Sequence, residues 1–131
     1  MKTFILATLA FLVLSAGAVS VSAQKATRIS FKRGSTTAIV TGTLSSYRSH
    51  RVFVIRVRRG QTLTTKNAGN SYITVSVEPP PGSTYEQDMA ADCHDRNEVS
   101  PTAAGDYLIS VTECLKADAW KGSFKLRVKV R

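Results

Sequence analysis

The sequence predicts an all-β protein, an antiparallel, jelly-roll-like β-sandwich of seven or eight strands with one disulfide. Three observations predict it. Apolar and polar residues alternate with period two through most of the chain, and the region after residue 24 carries no convincing helical period. Turn-forming clusters rich in Gly, Asn and Pro separate short strand-like runs. The region after residue 24 holds two cysteines, Cys93 and Cys114, an even count that reads as one bridge in an exported chain.

Export is read from the first 23 residues, "MKTFILATLAFLVLSAGAVSVSA". Lys2 precedes an apolar run from Phe4 to Leu14, and Val21 and Ala23 precede Gln24. This is the pattern of a secretory signal peptide cleaved after Ala23. The run is short for a bilayer span, which takes roughly 20 apolar residues. Residues 24–131 are then expected to form a single β-sandwich domain, secreted or periplasmic, with no membrane span after cleavage.

The expected strands follow in order: Thr27–Lys32, Thr37–Leu44, Arg51–Arg58, Thr62–Lys66, Tyr72–Val77, Tyr107–Glu113 and Ser123–Arg131. Turns at Arg33-Gly34-Ser35, Arg59-Gly60-Gln61, Asn67-Ala68-Gly69-Asn70, Pro79-Pro80-Pro81-Gly82 and Ala104-Gly105-Asp106 separate them. The segment Glu78–Pro101 has little periodicity, prolines at its ends and six acidic residues. It is expected to cross one end of the sandwich, pinned by Cys93–Cys114 to the penultimate strand.

The formal net charge is +9, and it is unevenly distributed. Ten basic and no acidic residues lie from Lys25 to Lys66; all nine acidic residues lie from Glu78 to Asp118; five basic and no acidic residues lie from Lys121 to Arg131. Such blocks either set up a dipolar surface or cancel where strands mix them. Alternation decides which side each strand shows to water. In the last strand Phe124, Leu126, Val128 and Val130 form one face and Lys125, Arg127 and Lys129 the other. Burying unpaired charge costs several kcal/mol, so the basic face goes outward, as do Arg56 and Arg58 beside Phe53, Ile55 and Val57. Arg56, Arg58, Lys125, Arg127 and Lys129 therefore either form a solvated face that guards strand edges or, if their strands are neighbours, one basic patch for a polyanion such as an anionic polysaccharide.

No enzyme motif is found. The chain lacks His-Glu-x-x-His, Gly-x-Ser-x-Gly and a phosphate-cradling glycine loop, and no pair of residues stands out as general acid and base. His50 and His94 stand beside charged residues and read as surface histidines. Asp88, Asp92, Asp95 and Glu98 could offer oxygen ligands to calcium, but their spacing matches no EF-hand loop. The expectation is a binding protein without catalytic residues, metal or cofactor.

The runs "GTLSSYRSHRVFVIRVRRGQTLT", "EPPPG", "PTAAGDYLISV" and "GSFKLRVKV" resemble the bacterial pre-peptidase C-terminal domain-like β-sandwich. The matching positions are Gly60, Gln61 and Leu63; Gly105 and Tyr107; and Gly122, Phe124 and Leu126. The opening "ISFKRGSTTAIVTGTL" is similar to that of the periplasmic inhibitors of g-type lysozymes, and the size and layout also fit inhibitors of g-type and i-type lysozymes. The Ser-Gly-x-x-Tyr loop signature of c-type lysozyme inhibitors is absent. The resemblance implies a non-enzymatic inhibitor of a secreted glycoside hydrolase. It also implies that the turn "CLKADAWKG", with Lys116, Trp120 and Lys121, meets the target, because the corresponding turn of g-type inhibitors is basic and lies at their interface. The residues alone leave a second role open for Trp120, that of capping the sandwich core.

Overall fold

The computed structural model describes residues 25–45, 49–87 and 93–131. The expected signal peptide lies outside the described residues. Eight strands follow in order: β1 (Thr27–Arg28), β2 (Thr37–Leu44), β3 (His50–Val57), β4 (Leu63–Asn67), β5 (Ile73–Glu78), β6 (Arg96–Val99), β7 (Gly105–Glu113) and β8 (Gly122–Val130). They form two four-stranded sheets, β1-β3-β7-β5 and β2-β8-β4-β6, packed as a sandwich. Every ladder is antiparallel except the short β1–β3 pair. Among the described residues no helix is long and apolar enough to cross a membrane.

Alternation drives the packing. Phe53, Ile55 and Val57 from β3, with Tyr107, Ile109 and Val111 from β7, meet Phe124, Leu126 and Val128 from β8 in one core. Each such side chain stabilises the fold by roughly 1.5–3 kcal/mol on burial. Phe53 and Phe124 join the sheets edge to face, with ring centroids 6.3 Å apart at 81°. Gly42, paired with Phe124 across β2–β8, makes room for that ring: a Cβ there would stand 2.6 Å from its Cζ.

The motif residues have structural causes. Gly60 turns the chain at φ +81°, and the Gln61 side chain accepts the Arg58 N–H at 2.8 Å. Gly105 opens β7 at φ +142°, where a Cβ would also press on Pro80 at 2.9 Å. Tyr107 is fully buried, and its hydroxyl accepts the Ala103 N–H at 3.0 Å.

Two elements differ from the sequence expectation. The first strand pairs over Thr27–Arg28 rather than Thr27–Lys32. Ile29 is buried and Phe31 packs against the core, so the alternation is real. The backbone nevertheless leaves the ladder to reach β2 in the opposite sheet. The second difference is β6, inside the segment expected to cross one end of the sandwich. Its described residues Gln87, Cys93 and His94 instead line the open edge of β5. His94 O accepts the Val75 N–H at 2.7 Å, Gln87 Oε1 accepts the Val77 N–H at 2.9 Å and Thr74 Oγ1 accepts the Cys93 N–H at 3.0 Å. An edge strand left bare would be a template for aggregation, and here side chains and backbone cover it. The chain then becomes β6, paired with β4.

Asn97 clips this edge together from inside. It is buried, and its amide donates to Val75 O at 2.8 Å in one sheet and Thr65 Oγ1 at 3.3 Å in the other. The Tyr85 hydroxyl shares its hydrogen between Asn97 Oδ1 and Gln87 Oε1, both at 3.2 Å, and burial raises its pKa above the usual phenol value. Asn97→Ala leaves buried polar atoms unpaired and is expected to cost about 1–2 kcal/mol in urea unfolding; an unchanged midpoint would show that water replaces the amide.

Glu113 is the opposite case. The alternation that buries Tyr107, Ile109 and Val111 carries Glu113 inward too, to 1 % exposure, with neither carboxylate oxygen hydrogen-bonded among the described residues. An unpartnered buried carboxylate destabilises the native state. Glu113→Met keeps the volume and removes the cost, so it is expected to raise stability by about 1 kcal/mol. A lower melting temperature would mean that the carboxylate has a partner in solution.

Candidate binding turn and basic face

β7 ends at Glu113, and the turn to β8 is held at both ends. Cys114, fully buried, is joined to Cys93 by the disulfide across a Cα–Cα distance of 4.6 Å. The carbonyl of Tyr72, at the start of β5, accepts the Cys114 N–H at 3.1 Å and the Trp120 indole N–H at 3.0 Å. One oxygen thus ties the first residue of the turn to its tryptophan. Between them Ala117 N–H donates to Cys114 O at 3.2 Å, closing a tight bend. Gly122, at φ +144°, returns the chain to β8.

Trp120 is half-buried and packs against the core. It therefore fills the capping role, with its polar hydrogen already used. The larger exposed apolar surface nearby belongs to Tyr72, 67 % exposed, and Leu115, 64 % exposed. Sequence reasoning passed over both: Tyr72 read as a strand residue and Leu115 as a turn position. Isolation from a polar or glycine pattern gave no signal that their side chains stay out of the core.

Lys116 and Lys121 are both exposed. Trp120 and Lys121 line one open depression of about 430 Å³ with Ser71, Tyr72, Ala117 and Asp118. Lys116 is not among its lining residues, so the depression gathers only two of the three turn residues expected at the interface. Asp118 sits between the lysines and offsets part of their charge.

The five residues expected as a basic patch are divided. Arg56 and Arg58 belong to β3 and the turn after it, in the first sheet; Lys125, Arg127 and Lys129 belong to β8, in the second. The outer faces of a sandwich point away from each other, so these residues form no single patch. The first sheet mixes its charges: Arg56 stands opposite Asp106, which also receives the Arg28 guanidinium at 3.4 and 3.5 Å. That exposed ion pair contributes at most about 1 kcal/mol. The charge on the outer face of the second sheet is mostly basic, with one carboxylate, Glu98. The register places Lys66 of β4 between Arg127 of β8 and Arg96 of β6. Lys66 and Arg96 were missed because neither their spacing nor their neighbours in sequence reveals that β4 lies between β8 and β6.

Among the described residues no three His, Cys, Asp or Glu side chains gather in a way that could hold a metal ion. Asp88 and Asp92, two of the four carboxylates considered for calcium, lie outside the described residues.

No protein-family model matches the chain, and no curated protein matches it in sequence. Its fold, however, is shared with solved structures. The structure of Aeromonas hydrophila PliG, a periplasmic lysozyme inhibitor of g-type lysozyme, aligns over 81 % of this chain and 96 % of its own with a TM-score of 0.62 and 22 % identity. Salmonella Typhimurium PliG aligns over 83 % and 100 % with a TM-score of 0.60 and 16 % identity. A mutant of the Escherichia coli protein aligns over the same shares with a TM-score of 0.58 and 15 % identity.

Proposed function

We propose that this protein is an exported, non-enzymatic inhibitor of a lysozyme, and that the turn from Cys114 to Gly122 enters the enzyme's cleft. The observation that carries the reading is the double anchorage of a basic turn on the Tyr72 carbonyl, on a fold shared with inhibitors of g-type lysozyme. Those neighbours make a g-type enzyme the first target to test. Their periplasmic location, together with the signal-like N-terminus and the disulfide, supports export. The scaffold motifs around Gly60, Gly105 and Gly122 fit a pre-peptidase C-terminal-like lineage for the same sandwich.

The chemistry suits the target class. Glycoside hydrolases cut with a pair of carboxyl groups in a cleft. An ammonium group brought beside a carboxylate forms a charge-assisted hydrogen bond, strongest where water is excluded. Lys116 and Lys121 supply the charge, and Tyr72 and Leu115 supply apolar area to exclude water. A turn fixed before binding loses little further entropy on docking.

Steady-state lysis by c-, g- and i-type lysozymes, measured over a range of cell-wall substrate, tests cleft entry. Inhibition of at least one type that is relieved by added substrate is expected; inhibition indifferent to substrate would contradict entry into the cleft.

A further inference from the structure

We propose that the outer face of the β2-β8-β4-β6 sheet is a second binding surface, separate from the turn, and that it takes an anionic polysaccharide. Lys125, Arg127 and Lys129 stand along β8; Lys66 on β4 and then Arg96 on β6 continue a row from Arg127 across the sheet. These five cations share the face with one carboxylate, Glu98, opposite Thr64. None of the five makes an ion pair with a described residue; the one such pair in the described chain, Arg28–Asp106, is on the other sheet.

The arrangement works against stability. Lys66 is directly opposite Arg127 on one side and Arg96 on the other, and like charges facing across a ladder repel. Guarding an edge strand does not explain four of the five, because β8 and β4 are the two central strands of this sheet and only Arg96 is on an edge, β6. A bound anion chain turns the repulsion into attraction.

Spacing and composition identify the occupant. Neighbouring strands lie about 4.8 Å apart, and alternate residues along a strand about 6.8 Å apart, so the cations form a flat T roughly 10 Å by 14 Å. Such a flat array fits an extended polymer with repeated charges better than a small anion, which a pocket would enclose. No aromatic side chain stands among the described outward residues of this sheet. Single-stranded nucleic acid would gain no stacking there, and a neutral sugar chain would find no ring to lie on. An anionic polysaccharide requires only the charges. In an inhibitor of a wall-degrading enzyme such a surface would hold the protein where the enzyme works, but the surface does not depend on that role.

Heparin serves as the probe, with two variants of equal charge loss. One is Lys66→Gln, Arg96→Gln, Arg127→Gln; the other is Arg56→Gln, Arg58→Gln, Arg59→Gln, in β3 and the turn after it. Wild-type Kd for heparin is expected to rise steeply between about 50 and 200 mM salt. The first variant is expected to weaken binding by about tenfold or more, and the second by no more than about threefold. The first should also keep its melting temperature, or gain, since it removes facing like charges, and should leave any lysozyme inhibition intact. Equal losses in both variants would reduce the effect to net charge and overturn the proposal. So would undiminished binding by the first variant, or tighter binding of a single-stranded oligonucleotide than of heparin.

Discussion

Cutting the Cys93–Cys114 bridge, by the pair Cys93→Ser and Cys114→Ala, is expected to cost about 3 kcal/mol, the largest single loss of stability among the changes considered for this chain. The bridge spans a sequence separation of 21 residues, a loop that includes β6 and β7. Without the bridge the unfolded chain regains the freedom of that loop. The native state also loses the fixed position of Cys93, which holds φ +62°, a left-handed conformation that costs a non-glycine residue energy. The β-sandwich itself should survive, because its central strands β3, β7, β8 and β4 pair without help from the bridge. The expected result is a two-state thermal transition lowered by on the order of 10 °C with an unchanged β-type circular dichroism spectrum. The turn should suffer more than the core, since Cys114 anchors its first residue. Loss of all cooperative unfolding would show that the bridge, and not the sandwich core, organises the fold.

The sheets were largely legible in the sequence because charge marks their outward faces. In β8 every second residue from Lys125 to Lys129 is basic, and no register could bury that row. The same logic fixed the inward residues of β3; β7 departs from it, because Glu113 follows Tyr107, Ile109 and Val111 inward. β6 was illegible for a physical reason. Its inward residues are Asn97 and Val99, so half its buried face is polar and it satisfies that polarity through partners in β4 and β5. Local alternation cannot report such a bargain. The basic face was illegible for a topological one: each cation is visible in sequence, but its neighbours are set by the order β2-β8-β4-β6. The turn lies between these cases. Its lysines and tryptophan stood out by composition, whereas the division of labour between a half-buried Trp120 and exposed Tyr72 and Leu115 depends on one carbonyl contributed from β5's leading end.

The second large effect is expected at the turn. Lys116→Ala with Lys121→Ala should weaken lysozyme inhibition by about 2 kcal/mol or more, roughly a thirtyfold change in Kd, if the ammonium groups meet buried carboxylates. Neither lysine makes a contact that the fold needs, and both are exposed, so the melting temperature should hold. That separation makes the double variant informative: a loss of inhibition without a loss of stability locates the effect at the interface. Leu115→Ser, tested alongside, should weaken inhibition through lost apolar area. Loss caused by the serine change but not by the lysine changes would move the energetic centre of the interface from charge to apolar contact.

The most direct measurement is a titration of a g-type lysozyme with the chain comprising residues 24–131, followed by the rate of cell-wall lysis. The expected result is saturable loss of lytic activity at an equimolar end point, with the Lys116→Ala, Lys121→Ala variant shifted to higher concentration. A lytic rate unchanged by excess protein, for g-type enzyme and for c- and i-type enzymes alike, would contradict the inhibitory role.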